Sequence, residues 1–191
     1  MNKIHLIVLL SGLLLSACNS NKVPKDAKVV EPVSVAEITQ GSFVLANFTL
    51  KIPETWAEET ASNSMRVTQF RLKNDSEYEV VVSYFGNSEN MVKANIERWK
   101  EQFAVQESYT ELELKNKNIT GVKILGTFKL KTSPMAQEFT ETPNYGTLAA
   151  ILPSNEGPYF LKLTAPAEVI EAETEVFINV LNSYKSSLVG T

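Results

Sequence analysis

The feature that most restricts the fold is a series of short extended runs separated by turn-forming residues. Residues 48–52 alternate apolar and polar side chains and stop at Pro53, as a half-buried strand does. Similar runs cover residues 66–72, 78–85, 110–115, 122–131, 145–152 and 159–164. Several neighbouring runs are joined by short segments rich in Asn, Ser, Gly or Pro, which suit hairpins. This pattern predicts a mainly antiparallel sheet, in which residues 78–85 form a central strand covered on both sides.

One helix interrupts the strands and a second closes the chain. In the first, Ser88 is the predicted cap, and the apolar stripe consists of Val92, Ile96, Trp99 and Phe103. The second helix follows Pro166 and has an apolar face. Its acidic residues are interpreted as a solvated face; they are Glu168, Glu171, Glu173 and Glu175. The fold class is therefore predicted as α+β, with a mainly antiparallel β-sheet covered by helices on both faces.

The amino-terminal segment has the features of a bacterial lipoprotein signal. Lys3 precedes the largely apolar residues 4–15, a run too short to span a bilayer. It ends in Leu15-Ser16-Ala17-Cys18, which resembles the lipobox, and Cys18 is the only cysteine of the chain. We therefore predict that Cys18 carries palmitate and other acyl chains and becomes the mature amino terminus. The alternative is a cleaved secretory signal with an incidental cysteine.

These features divide the chain into four parts. Residues 1–17 are the predicted signal peptide, 18–41 the lipidated cysteine and a flexible tether, 42–186 a single domain, and 187–191 a tail. The valines between residues 29 and 35 leave open an additional edge strand. Acyl chains on Cys18 would anchor the protein to a membrane of the cell envelope. Because Asn19 follows the cysteine, the resemblance to sorted lipoproteins implies the outer membrane, facing the periplasm, in a host with two membranes.

The composition excludes several classes of function. The only histidine, His5, lies in the predicted signal peptide, so the mature domain has neither an imidazole nor a free thiol. It cannot build a Ser-His-Asp triad, a Cys-His pair or a histidine-ligated metal site, and no catalytic residue, metal or cofactor is predicted. A formal charge of −4 argues against nucleic acid as a partner. Carboxylate chemistry stays open, with Glu54, Glu58, Glu59, Glu77, Glu79 and Glu97 as candidates.

Three residues form the candidate binding surface: Trp56, Arg66 and Arg98. Tryptophan and arginine often carry the binding energy of interfaces, which is why these positions stand out. The alternative is that both arginines pair with nearby glutamates or with helix-end carbonyls. Trp99 is assigned to the core because of its position in the apolar stripe.

Several segments resemble a group of uncharacterised bacterial exported proteins with a PsbP-like domain. They are residues 48–53 with Trp56, 64–66 with 69–70, 85–86, 94–99 with 102–103, and 157–160. The resemblance extends over residues 43–186 and implies an α/β/α sandwich. PsbP relatives are non-catalytic accessory or assembly factors in photosynthetic membranes, but fold-level analogy transfers function poorly, and no photosynthetic role is inferred.

Three functions are therefore considered, in this order. The first is a non-enzymatic, lipid-anchored accessory module that binds another envelope protein. The second is a periplasmic small-molecule binding or sensing protein, suggested by aromatic and arginine side chains beside a sheet-helix crevice. The third is a carboxylate-dependent hydrolase.

Overall fold

The computed structural model describes residues 36–39, 41–87, 90–133 and 136–187. The predicted signal peptide and Cys18 lie outside these residues. The helices are α1 (Met91–Glu101) and α2 (Ala167–Asn182). The strands, in chain order, are β1 (Ala36–Thr39), β2 (Ser42–Leu45), β3 (Phe48–Lys51), β4 (Trp56–Glu59), β5 (Arg66–Leu72), β6 (Glu79–Tyr84), β7 (Phe103–Glu111), β8 (Thr120–Leu130), β9 (Thr140–Leu152), β10 (Tyr159–Pro166) and β11 (Lys185–Ser186). Neither described helix has the length and apolar character that a membrane span requires.

The strands form two antiparallel sheets. The smaller has the order β1-β2-β3-β11, and the larger has the order β4-β5-β6-β10-β9-β8-β7. Each described strand pairing is antiparallel. The prediction of an α+β fold with a mainly antiparallel sheet is confirmed. Strand β6 lies inside the larger sheet, between β5 and β10, as predicted for residues 78–85.

Some strand boundaries differ from the predictions. Strand β1 falls within the segment assigned to the tether, and it pairs with β2, so Ala36–Thr39 belong to the smaller sheet. Strand β7 covers Phe103–Glu111 in place of the predicted 110–115. Phe103 therefore begins a strand and does not extend the helix, because its ring packs edge-on against Phe128 of the neighbouring β8, at 5.2 Å between centroids.

One face of the larger sheet is covered by α2 together with the smaller sheet. Phe177 and Leu181 of α2 are fully buried there, in the same hydrophobic cluster as Leu148 and Leu161 of the larger sheet. Phe48 of the smaller sheet belongs to this cluster too. Helix α2 and the smaller sheet together cover this side of the larger sheet, which we call the α2 face.

Helix α1 covers part of the opposite face. Trp99 of α1 is 2% exposed and shares a second cluster with Ala149 and Ile151, whose strand neighbours Leu148 and Ala150 belong to the first. Since successive strand residues point to opposite sides of a sheet, the two clusters lie on opposite faces. The prediction that Trp99 is a core residue is confirmed. We call this side of the larger sheet the α1 face.

The buried stripe of α1 differs from the predicted one. Val92 is 43% exposed, whereas Asn95 and Trp99 are buried. The residue before the helix is Asn90, in a left-handed conformation with a φ of 66°, and the predicted cap Ser88 lies outside the described residues. The other residues of the predicted stripe, Ile96, Trp99 and Phe103, belong to the second cluster or pack against it. The buried Asn95 was not predicted; its side-chain amide donates a hydrogen bond of 2.8 Å to the Met91 carbonyl oxygen.

Candidate ligand-binding groove

The part of the α1 face that α1 leaves open contains a groove of about 500 Å³. Strands β5, β6, β8, β9 and β10 and helix α1 contribute to it. Its aromatic lining consists of Tyr78, Phe85, Trp99, Phe128, Tyr145 and Phe160, and its charged lining of Arg66, Glu77, Glu79, Arg98 and Lys162. Val81 and Ser83 of β6 also line it and are only partly buried, so the predicted cover of this strand is complete on the α2 face alone.

Arg98 extends from α1 into the groove and is held by neutral groups. Its Nη2 donates a hydrogen bond to Oδ1 of Asn95, one helical turn earlier. Its guanidinium carbon lies 5.2 Å from the centroid of the Phe85 ring, a cation–π distance. No carboxylate of the described residues forms an ion pair with Arg98. Its positive charge is therefore oriented without being neutralised.

Lys162 is the second cation of the groove, and it lies on β10, the middle strand of the larger sheet. Its Nζ donates a hydrogen bond to Oε1 of Gln102 and lies 5.9 Å from the centroid of the Phe128 ring. Within the described residues it has no carboxylate partner. Burial, and secondarily the charge of Arg98, lowers the pKa of Lys162 to about 7.

Arg66 of β5 also lines the groove, but its charge is neutralised. Its Nη1 forms an ion pair with Oε1 of Glu79 and donates to Oε1 of Gln69 at 2.8 Å. Arg71 bonds Glu59 at 2.6 Å and lies 3.6 Å from Glu79. Hydrogen bonds from Arg71 are the main reason that the pKa of Glu59 is lowered. Structural pairing, the alternative considered for both arginines, thus describes Arg66 but not Arg98.

The structure corrects the grouping of Trp56 with the two arginines. Trp56 is 4% exposed and contacts Phe70 and Phe177 on the α2 face, away from the groove. Its Nε1 donates a hydrogen bond of 2.8 Å to Oε2 of Glu173. Glu173 is itself 7% exposed, which corrects its assignment to a solvated helix face. The indole of Trp56 thus supplies the hydrogen bond that the buried carboxylate of Glu173 requires in the core.

A second depression, of about 780 Å³, adjoins the groove and shares Arg98, Phe128, Leu130 and Lys162 with it. Lys129, Lys131 and Phe139 line its other side. Phe85, Leu130 and Phe139 are 44%, 46% and 45% exposed. These three large apolar side chains surround the place where the two cations lie, and their exposure is typical of a binding surface.

Lys162 was not among the predicted site residues. The signal was present, because a lysine between Leu161 and Leu163 interrupts an apolar strand at a position where an uncharged residue is expected. Phe128, which contacts the Lys162 amine, was recognised as a strand residue but not as part of a site. Their proximity depends on the order of β10, β9 and β8 in the sheet.

The acidic residues of the groove are partly engaged by hydrogen bonds. Of the six carboxylates considered for hydrolysis, Glu77 and Glu79 line the groove. Glu79 accepts hydrogen bonds from Arg66 and Gln69, so its carboxylate already has partners.

Among the described residues, no three acidic, histidine or cysteine side chains form a group that could hold a metal ion. Burial is the largest cause that raises the pKa of Tyr145 to about 12, so its hydroxyl keeps its proton near neutral pH.

Comparison with known proteins gives a likeness of the fold only. No family model and no curated protein matches the chain. Among solved structures, the chain is similar to cyanobacterial PsbP (CyanoP) from Synechocystis sp. PCC 6803, with a TM-score of 0.48 and 8% sequence identity. The match covers 90% of this chain and 98% of that chain. A likeness of this degree concerns the path of the backbone at most and assigns no functional residue.

Proposed function

We propose that this chain is a lipid-anchored protein of the cell envelope whose domain binds a small anion with an apolar body in the groove. The single observation that supports binding is the pair Arg98 and Lys162, two neighbouring cations without a carboxylate partner among the described residues. Burial disfavours a charge without a partner, and this applies to the partly buried Lys162. Arg98 is exposed to solvent, where an incoming anion can reach it. A ligand anion would supply the missing negative charge.

The surroundings of the two cations indicate the rest of the ligand. Phe128, Phe160 and Trp99 form an apolar wall beside them, and Phe85 lies under the guanidinium of Arg98. Such walls favour a ligand with an aromatic or aliphatic body, and the volume of about 500 Å³ is that of a small-molecule site. A carboxylate with a short aryl-alkyl chain satisfies both requirements.

The experiment compares 4-phenylbutyrate with its uncharged amide by isothermal titration calorimetry. We expect the acid to bind more tightly, and Arg98→Gln to weaken its binding about tenfold or more, because a charge-assisted hydrogen bond contributes about 1.5–3 kcal/mol. The matched control is Lys93→Gln, which removes a positive charge from an exposed position of the same helix. Equal binding of acid and amide, or equal effects of the two substitutions, would contradict the proposed site.

The anchor rests on the Leu15-Ser16-Ala17-Cys18 motif and is tested separately. We expect Cys18→Ser to abolish palmitate labelling and to release the protein from the membrane fraction, while the circular dichroism of the domain stays unchanged. Membrane attachment of the Cys18→Ser protein would mean that another part of the chain holds it there. In a host with two membranes, the site of anchoring is proposed to be the outer membrane, with the domain in the periplasm.

A protein partner is the second candidate occupant, favoured by the exposed side chains Phe85, Leu130 and Phe139 around the groove. In this version, another envelope protein inserts a carboxylate between Arg98 and Lys162. Photo-crosslinking from position 139 in cells distinguishes the two: a specific crosslinked protein that is lost in Arg98→Gln supports the partner. Crosslinks that are insensitive to Arg98→Gln would count against it.

A further inference from the structure

We propose that the Lys162 amine forms an imine with the carbonyl carbon of a 2-oxo acid whose carboxylate is held by Arg98. This inference rests on the proposed function, since it identifies the ligand class of the same groove. It adds a covalent bond to the binding of an anion.

The first step concerns the state of the Lys162 amine. Its one hydrogen-bond acceptor in the described structure is the amide oxygen of Gln102, which is uncharged. No described carboxylate stabilises the ammonium form, and the neighbouring Arg98 destabilises it. Partial burial against Phe128 acts in the same direction. These are the conditions that activate a lysine as a nucleophile.

The amine is consequently available in its reactive form near neutral pH. Because burial lowers the pKa of Lys162 to about 7, a much larger fraction of its amine is uncharged near neutral pH than for an exposed lysine. The amine also lines both the groove and the adjoining depression, so a ligand can reach it.

The second step concerns the choice of ligand. Arg98 and Lys162 line the same two depressions, so one molecule can contact both. In a 2-oxo acid the carboxylate and the carbonyl carbon are adjacent, which matches a guanidinium beside an amine. Phe128 and Phe160 line the groove and can pack against the apolar remainder. A simple aldehyde would use Lys162 but leave Arg98 without a partner.

The reaction is balanced without any oxidant or reductant. The nitrogen lone pair attacks the carbonyl carbon, a C–N bond forms, and a proton moves from nitrogen to oxygen to give a carbinolamine. The hydroxyl group takes a proton from solvent and leaves as water as the C–O bond breaks and the nitrogen lone pair forms the carbon-nitrogen double bond. The product is the protonated imine, which becomes the neutral imine when nitrogen returns a proton to solvent. Water releases the ligand by the reverse steps.

The test traps the imine in the full domain at pH 7 with 2-oxo-4-phenylbutyrate and cyanoborohydride, read by intact mass and peptide mapping. We expect a single adduct on Lys162, with the mass of the oxo acid less one oxygen atom. Lys162→Gln should abolish the adduct, Arg98→Gln should slow trapping about tenfold, and Lys93→Gln should leave it unchanged. Circular dichroism verifies that each variant is folded.

Two results would overturn the proposal. One is an adduct distributed over the surface lysines at similar rates in the wild type and in Lys162→Gln. The other is an unmodified Lys162 in a protein that still binds 4-phenylbutyrate, which leaves the proposed function intact and removes only the imine. If 4-phenylbutyrate does not bind either, the proposed function itself fails, and the two failures are thereby distinguished.

Discussion

The two faces of the larger sheet differ in what covers them. On the α2 face, a helix and a second sheet leave Phe177, Leu148 and Leu161 fully buried. On the α1 face, a single helix of 11 residues covers part of the same strands, and Arg98 and Lys162 lie at the margin of that cover. On the α2 face the buried carboxylate of Glu173 accepts a hydrogen bond from Trp56, whereas the partly covered α1 face holds two cations without a carboxylate partner among the described residues. The groove therefore lies where helix α1 stops covering the α1 face.

The largest expected effect contrasts one phenylalanine from each face. Phe177→Ala should lower the free energy of unfolding by about 3–5 kcal/mol, because it opens a cavity in the sealed face. Phe85→Ala, at a position 44% exposed beside the groove, should lower it by less than about 1 kcal/mol. Urea denaturation measures both. Similar losses for the two variants would show that the faces do not differ as described.

An intermediate effect concerns the buried polar contact of the α2 face. Trp56→Phe removes the indole donor from Glu173 and should cost about 2 kcal/mol, since a buried carboxylate loses a hydrogen bond. In a Glu173→Leu background, the same substitution should cost clearly less. This double-mutant cycle, followed by urea denaturation, isolates the contact. Equal costs in both backgrounds would mean that the hydrogen bond does not stabilise the fold.

The smallest effect depends on pH and belongs to the α1 face. Burial lowers the pKa of Lys162 to about 7 in the folded protein from its ordinary value of 10.5. Below pH 7 both folded and unfolded chains carry the charged amine, so the burial penalty is fully present. Between pH 7 and 10.5 the unfolded chain binds the extra proton, and the stability of the wild type rises with pH.

Lys162→Met should therefore raise the free energy of unfolding at pH 6, by an amount on the order of 1 kcal/mol because the side chain is partly exposed. At pH 9 the gain should be smaller. Thermal denaturation at the two pH values measures this difference. The matched control is Lys93→Met at an exposed position of α1, which should show no such pH dependence. A gain that is equal at pH 6 and pH 9 would contradict an amine that is penalised by burial.

The local patterns predicted much of the fold but less of the site. Alternation located β3, β5, β6 and β10 closely, since a strand repeats every two residues whatever its partners are. It missed β1, β2, β4 and β11, which have four or fewer residues. Strand β3 is equally short, but Pro53 marks where its alternation stops. Of the predicted stripe of α1 only Val92 is exposed, and the buried Asn95 was missed because a polar residue does not contribute to an apolar pattern.

Of the three predicted site residues, Arg98 and Arg66 line the groove, and Trp56 does not. Their residue types were the only sequence signal, and that signal is the same for a ligand site and for a core contact. Trp56 faces the core because Glu173 on α2 accepts its hydrogen bond, a contact between residues far apart in the chain. No local pattern reports such a pairing.

The amino-acid sequence by itself determined the alternation of strands and helices, and it excluded imidazole and thiol chemistry from the predicted mature domain. Both are local or compositional properties, which do not depend on which strands become neighbours. Only the tertiary structure decided that Lys162 of β10 and Arg98 of α1 line one groove, and that Arg66 of β5 is instead neutralised by Glu79. The order of strands sets which side chains share a face and how far one helix can cover them, and this order is a property of the whole chain.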